Sequence, residues 1–301
     1  MSPHAALSGE RTVLKNGDAG YPAALASIAR PPKELFVVGN PAALAEGLAV
    51  VGARRATPYG RSCARRFARL AASQGVCIIS GGARGCDSEA HRAALTEGAP
   101  TVAFLGGGCD EIYPAENRGL FQKMIDDGGA VVSEHAWGFK PLPYTFRERN
   151  RLIAGLAKAV LIVEASLPSG TFSTADEALE AGKEVLVVPG AITSDSSRGT
   201  NRLLYQGATP VVDDESFEYA VSRIFGVLRH EQISSGAKKE RKADAVMDAL
   251  KAQPMSLDEL YEIARDVYGE NARSTLMKQL ARAEAEHEVK RHHDGRYYPM
   301  A

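Results

Sequence analysis

The sequence predicts an α/β protein built on a doubly wound, mostly parallel sheet, followed by a small helical domain that ends in a hairpin, and three observations carry this prediction. First, short apolar runs rich in β-branched residues stop at glycine turns and give way to helical patterns, as at residues 76–79, Ser80-Gly81-Gly82 and the helix that follows. Second, the device recurs, at Val50-Val51-Gly52-Ala53-Arg54, at Phe104-Leu105-Gly106-Gly107-Gly108, at Val187-Val188-Pro189-Gly190, and at Ser169-Gly170 after residues 160–164. Third, the alternation of strand and helix is regular from about residue 34 to 228 and then ceases. In an open parallel sheet such strands end on one edge, so the glycine loops gather at the crevice where these folds bind ligands. Backbone N–H groups at the positive end of each following helix, reached through glycine, suit a phosphate.

The elements follow in order. Residues 1–20 are polar, rich in small residues and without a period, which reads as a mobile lead-in. A short helical pattern from Tyr21-Pro22 ends at Pro31-Pro32, before a candidate strand at 34–38. A strand at 48–51 leads to a helix at about 59–74, where Cys63, Phe67, Leu70, Ala71 and Gln74 share one face and Arg61, Arg65 and Arg69 lie opposite. Those arginines read as a solvated face, whereas Arg54 and Arg55 sit in the loop at the ligand edge. Beyond residue 95 come a strand at 101–105, a helix at 114–126 and a strand at 130–133. The segment 137–144, WGFKPLPY, is too rich in aromatics for a mere connector. A helix carrying Phe146-Arg147-Glu148-Arg149-Asn150-Arg151 follows, then strand 159–163, helix 171–181, strand 184–188, a helical turn at 201–206, strand 209–212 and a helix to about 228.

Residues 229–242 are polar and contain glycine and serine, which reads as a linker. From 243 to 301 the character changes: amphipathic helix 243–253, a second helix opened by Ser256-Leu257-Asp258-Glu259, a third at 272–286, and a hairpin turned at Asp294-Gly295. This order resembles a winged helix-turn-helix. Such domains bind DNA or dock proteins, and Asp258, Glu259, Glu262, Glu284 and Glu286 weigh against a surface that attracts DNA.

Composition bounds the partners. The 301 residues are 45% hydrophobic and 24% charged, and 36 Lys plus Arg against 37 Asp plus Glu give a net charge of −1. Any affinity for nucleic acid must therefore come from a local patch. The four cysteines, Cys63, Cys77, Cys86 and Cys109, form no CxxC pair and read as small buried hydrophobes of a reduced, cytosolic protein. No export signal or membrane span is expected.

Through these motifs, residues 20 to 225 resemble the DNA-processing protein A family (DprA, also called Smf). The carrying segments are Val51-Gly52-Ala53-Arg54-Arg55 with Tyr59-Gly60, Ser80-Gly81-Gly82-Ala83-Arg84-Gly85-Cys86-Asp87, Asp110 with Tyr113-Pro114 and Glu116-Asn117, and Ser133-Glu134. They continue through Phe146 with Arg149-Asn150-Arg151-Leu152-Ile153-Ala154-Gly155, Ser169-Gly170 with Thr174-Ala175, Pro189-Gly190, and Gly199-Thr200-Asn201 with Gly207-Ala208. The resemblance implies a cytosolic bacterial protein whose extended Rossmann domain binds single-stranded DNA, dimerises, and loads the recombinase RecA during natural transformation. Two departures stand out. The leader is too short for the N-terminal helical domain that members often carry, so functions of that domain are not carried over. Cys86 stands where an aliphatic residue is usual.

Strand binding without sequence preference needs charge along the backbone and faces for stacking. By resemblance Arg54 is the main phosphate contact and Phe146 the base-contacting aromatic; a salt bridge and core packing are the respective alternatives. Arg55, Arg149, Asn150 and Arg151 join them as candidates, with some of the last three holding the crowded loops through carbonyls. Ser80, Gly81, Gly82, Gly106, Gly107, Gly108, Ser169, Gly170 and Asn201 are the expected phosphate cradle. No catalytic residue, metal ligand or cofactor is expected. Asp87, Asp110, Glu134 and Glu164 sit near strand ends but equally cap helices or orient arginines, and His287, His292 and His293 lack partner cysteines. The alternative is a lonely-guy-type phosphoribohydrolase acting on nucleoside monophosphates, whose PGGxGTxxE loop is only distorted in residues 168–177, PSGTFSTADE. A further one is a nucleotide-sensing domain.

Overall fold

The computed structural model describes residues 6–167 and 170–227, and further along 246, 249–250, 254–269, 272–285, 289–292 and 295–299. The chain divides into two compact units, Met1–Arg229 and His230–Ala301. The first unit runs β1 (Arg11–Lys15), α1 (Ala23–Ala26), β2 (Glu34–Gly39), β3 (Gly47–Val51), α2 (Pro58–Ala72), β4 (Ile78–Ser80), α3 (Cys86–Thr96) and β5 (Thr101–Phe104). It continues with α4 (Arg118–Asp126), β6 (Ala130–Ser133), α5 (Thr145–Leu156), β7 (Ala157–Ile162), α6 (Gly170–Glu180), β8 (Glu184–Val187), α7 (Arg198–Tyr205), β9 (Thr209–Pro210) and α8 (Asp214–Phe225).

These strands make one nine-stranded sheet in the order β1-β2-β6-β5-β4-β3-β7-β8-β9. Every pair from β6 to β9 is parallel. β2 runs antiparallel to β6, and β1 to β2. The chain leaves β3 through β4, β5 and β6 in one direction and returns on its other side through β7, β8 and β9. The order therefore reverses between β3 and β7, the doubly wound arrangement that opens a crevice at the strand C-termini. β3 is buried at every position, as a strand covered on both faces must be. Its alternate residues serve two cores: Ala49 and Val51 pack with Leu25, Ile79, Leu152 and Leu156 on one face, Leu48 and Val50 with Phe67, Ala71, Ile78 and Phe217 on the other.

Helix α2 turns Phe67, Ala68 and Ala71 inward. Its arginines face outward and are matched: Arg65 lies 2.8 Å from Glu89, Arg69 lies 3.7 Å from Glu97, and Arg61 donates to the Ala56 carbonyl.

The lead-in is corrected by the structure. Within residues 1–20, Arg11–Lys15 forms the edge strand β1, registered against β2. Leu14 is buried beneath it, and Arg11 pairs with Asp110 at 2.8 Å while its guanidinium stacks 4.1 Å from the Trp137 ring centre. An edge strand with one wet face and charged ends carries too little apolar signal to be read from sequence.

The second unit contains β10 (Met255–Ser256), α9 (Leu257–Tyr268), α10 (Ala272–Ala285), β11 (Val289–Arg291) and β12 (Arg296–Pro299). Its strands form an antiparallel sheet ordered β10-β12-β11, over a core that includes Leu260, Ala264, Leu276, Leu280, Val289 and Tyr297. Ser256 and Glu259 close a reciprocal capping box at the start of α9. The linker 229–242, most of helix 243–253 and Asp294 of the hairpin turn lie outside the described residues. Among the described residues no helix is long and apolar enough to cross a membrane.

Candidate nucleic-acid interface

At the C-terminal edge of the parallel strands a pocket of about 230 Å³ is lined by Arg54, Arg55, Gly81, Ala83, Arg84, Tyr113, Pro114, Phe146 and Arg149. The loop after β3 brings Arg54 and Arg55 there, held down where the Cys86 N–H donates to the Ala53 carbonyl at 3.4 Å. Both arginines are exposed, and among the described residues neither has a carboxylate in ion-pair range. The Arg54 guanidinium sits 5.2 Å from the centre of the Phe146 ring, a cation over an aromatic face. Phe146 is half-buried and meets Tyr113 with ring centres 5.4 Å apart at 59°, while Tyr113 itself remains 51% exposed. Cations without carboxylate partners and accessible ring faces thus stand side by side.

The triglycine after β5 has a different use from the expected one. A Cβ on Gly106 would fall 2.8 Å from the Phe146 ring, on Gly107 2.9 Å from Pro141, and on Gly108 2.1 Å from the Ala136 carbonyl. These glycines let the aromatic segment 136–146 lie directly on the strand end, so the close approach is made by the protein's own loop. Phe146 owes its position to that contact.

Several of the expected backbone donors are engaged within the protein. The N–H groups of Gly81 and Ala83 donate to Asp87 at 3.2 and 3.3 Å. At the start of α2 the Thr57 N–H and hydroxyl donate to the buried Glu164 at 2.9 and 2.8 Å. The buried Ser80 hydroxyl donates to the Val50 carbonyl at 2.6 Å. Gly82 takes a left-handed φ of 65° over Phe121, and its carbonyl accepts from Asn117 at 2.8 Å. Internal carboxylates thus engage the loop N–H groups of Gly81 and Ala83 before α3 and the N-cap residue Thr57 of α2. Among the groups lining the pocket, Arg54 and Arg55 are the exposed cations without a carboxylate partner among the described residues. Burial raises the Asp87 pKa, and Arg149 together with the two N–H groups opposes that rise.

Arg149 is a floor beam. It is 5% exposed and donates to the carbonyls of Gly81, at 2.7 Å, and Phe104, tying the ends of β4 and β5 together. Burial draws its pKa down to about 10, against the pull of Asp87, so it remains a cation at neutral pH beneath the pocket. Asn150 and Arg151 do not line the pocket. The Asn150 amide donates to Ser173 Oγ at 2.6 Å and to the Gly170 carbonyl at 3.3 Å, joining α5 to α6. Arg151 grips Glu134 through both terminal nitrogens at 2.6 Å and donates to the Arg30 carbonyl. Asn201 fastens Gly190 from both sides, accepting from its N–H at 3.2 Å and donating to its carbonyl at 3.0 Å. Gly170 is the exposed first residue of α6, and Ser169 lies outside the described residues.

The pocket thus unites Arg54, Arg55, Gly81, Phe146 and Arg149 of the expected residues. Tyr113, Pro114, Ala83 and Arg84 are additions, with the Arg84 charge matched by Glu116. An aromatic before proline in the polar loop after β5 was the available signal for Tyr113. Among the described residues no group of three or more His, Cys, Asp or Glu is placed to hold a metal ion.

With this geometry in view, the comparisons are specific. The profile of the family described as DNA recombination-mediator protein A matches residues 12–221. Protein Smf of Escherichia coli is 44% identical over 196 residues, 65% of this chain and 52% of that protein. The chain spans about half the length of the curated relatives it matches. Among solved structures, DNA processing protein A of Streptococcus pneumoniae superposes with a TM-score of 0.64 at 35% identity, covering 69% of this chain and 73% of that one. DNA processing protein A of Helicobacter pylori, solved for its single-stranded DNA binding mode, gives 0.65 at 31%, covering 75% and 99%. The chain belongs to the DNA recombination-mediator protein A family, also named DprA or Smf.

Proposed function

We propose that this protein binds single-stranded DNA in the Arg54–Phe146–Tyr113 pocket, protects it, and loads RecA on it, acting as a cytosolic homodimer. The observation that carries the DNA-binding step is the contrast among its arginines. Those on α2 are matched by carboxylates or a carbonyl, whereas Arg54 and Arg55 stand exposed beside an accessible aromatic pair. Cations that track a backbone and rings that accept any base face are what sequence-tolerant strand binding requires. The RecA and homodimer parts of the reading rest on family membership.

A binding role without catalysis is supported by the state of the acids at the strand ends. Asp87 holds the loop N–H groups of Gly81 and Ala83, Glu164 holds Thr57 at the start of α2, Glu134 holds Arg151, and Asp110 holds Arg11. Each is committed to structure, which leaves the phosphoribohydrolase reading without an acid–base pair at the pocket. One experiment tests both parts: the purified chain should retard a single-stranded oligonucleotide while releasing no base from nucleoside monophosphates. Base release would replace this reading with the hydrolase.

A further inference from the structure

Among the described residues of the second unit, the exposed acids lie mainly on α9 and the exposed cations mainly on α10 and the strands. On α9 the described exposed residues are Asp258, Glu259, Glu262 and Arg265, and Arg265 pairs with Glu262 at 2.5 Å. On α10 they are Arg273, Ser274, Met277, Lys278, Ala281 and Glu284, opposite the buried Ala272, Leu276, Leu280 and Ala283. β11, which packs beside α10, adds exposed Lys290 and Arg291. Of the acids that argue against DNA binding in the sequence, Asp258, Glu259 and Glu262 lie on α9, Glu284 lies on α10, and Glu286 is outside the described residues. α10 with β11 presents four cations, against Glu284 at the far end of the helix.

We infer that α10 and β11 form a second nucleic-acid site, one that takes duplex DNA, with α10 in the major groove and β11 against the phosphates. A cationic helix face is complementary in charge to a phosphate-lined groove and fits the major groove in width. In a helix–helix–hairpin unit the second of the two helices is the one that docks there, and it reaches base edges from its N-terminal end. That end of α10 carries Arg273 and Ser274, and the acid Glu284 sits at the other. Single strands are disfavoured as occupant because the face offers no ring for stacking: none of the described exposed α10 residues is aromatic, Tyr297 is buried, and Tyr298 packs on His292 with ring centres 4.6 Å apart. A protein partner is disfavoured because Met277 is the one large apolar side chain exposed among the described residues of this unit.

The test uses the full chain, a triple variant Arg273→Ala/Lys278→Ala/Arg291→Ala, and Arg54→Ala, each titrated against a labelled duplex and a labelled single strand over a range of salt. The triple variant should bind duplex at least tenfold more weakly at low salt and lose about 0.9 in log–log salt slope for each phosphate contact removed, with single-strand affinity within twofold of wild type. Arg54→Ala should do the reverse, so failure of the first site and of this one are told apart. The substituted side chains are exposed, and an exchange of cations, Arg273→Lys/Lys278→Arg, should keep duplex affinity. Wild-type duplex affinity in the triple variant, loss of duplex binding in Arg54→Ala alone, or no duplex binding by wild type at low salt would overturn the inference.

Discussion

Removing the Phe146 ring should weaken strand binding far more than its effect on the fold explains. The ring is half-buried, with one side on Gly106, an edge toward Tyr113 and the Arg54 guanidinium 5.2 Å away. Truncating a fully buried phenylalanine costs about 3–5 kcal/mol; because this side chain is only half-buried, Phe146→Ala should cost about 2 kcal/mol. For a unit of this size that lowers Tm by about 4–8 °C. Losing a stacked base costs about 1–3 kcal/mol, a roughly 5- to 150-fold rise in Kd. Phe146→Leu separates the two, because leucine keeps most of the packing on Gly106 but offers no aromatic face. Thermal unfolding and fluorescence anisotropy with a labelled oligonucleotide read both effects: Phe146→Leu should melt near wild type yet bind several-fold more weakly, and Phe146→Trp should recover much of the affinity. A leucine variant that binds like wild type would refute stacking and assign the ring to packing alone.

Other outcomes follow from the same geometry. Binding by the unit ending at Arg229 should favour single strands over duplex, vary little with sequence, and fall with salt at a log–log slope of about −0.7 per phosphate neutralised; tighter binding of that unit to duplex would contradict it. Ending the chain after Arg229 should leave a folded unit that still binds single strands, since the pocket lies wholly within Met1–Arg229; a folded truncation without affinity would move the site into the second unit. His91 is fully buried with Nδ1 2.7 Å from Thr101 Oγ1, and burial pushes its pKa down to about 3. Because the unfolded chain takes up that proton near pH 6.5 and the native state refuses it, stability from this group is lost as pH falls from about 6.5 toward 3. The loss is about 2 kcal/mol by pH 5. Urea unfolding of wild type and His91→Gln at pH 7 and pH 5 should show a smaller drop for the variant; equal drops would mean His91 titrates normally.

The parallel strands were legible because burial on both faces writes unbroken apolar runs such as Leu48–Val51, and the turns were legible because glycine marks them. The edge strand β1 was not, since one wet face leaves Leu14 nearly alone as its signal. In the site, Arg54 was legible as a charge in a loop at the strand ends. What the sequence concealed was where the loop donors go: the N–H groups of Gly81 and Ala83 look free until Asp87, four to six residues on, is seen to accept from both. Nor does a run of three glycines say whether a ligand or segment 136–146 will lie against it. Arg149 and Arg54 look alike as letters, and only packing makes one a buried tie between Gly81 and Phe104 and the other an exposed cation at the pocket.

The most direct test compares Arg54→Ala with Arg65→Ala in single-strand binding at one fixed salt concentration. Arg54 stands at the pocket and, among the described residues, has no carboxylate partner, whereas Arg65 is held by Glu89 at 2.8 Å on the outer face of α2. A charge-assisted contact is worth about 1.5–3 kcal/mol, so Arg54→Ala should raise Kd by at least about tenfold, while Arg65→Ala stays within twofold of wild type. Equal affinities for the two folded variants would contradict the assignment of this pocket to single-stranded DNA.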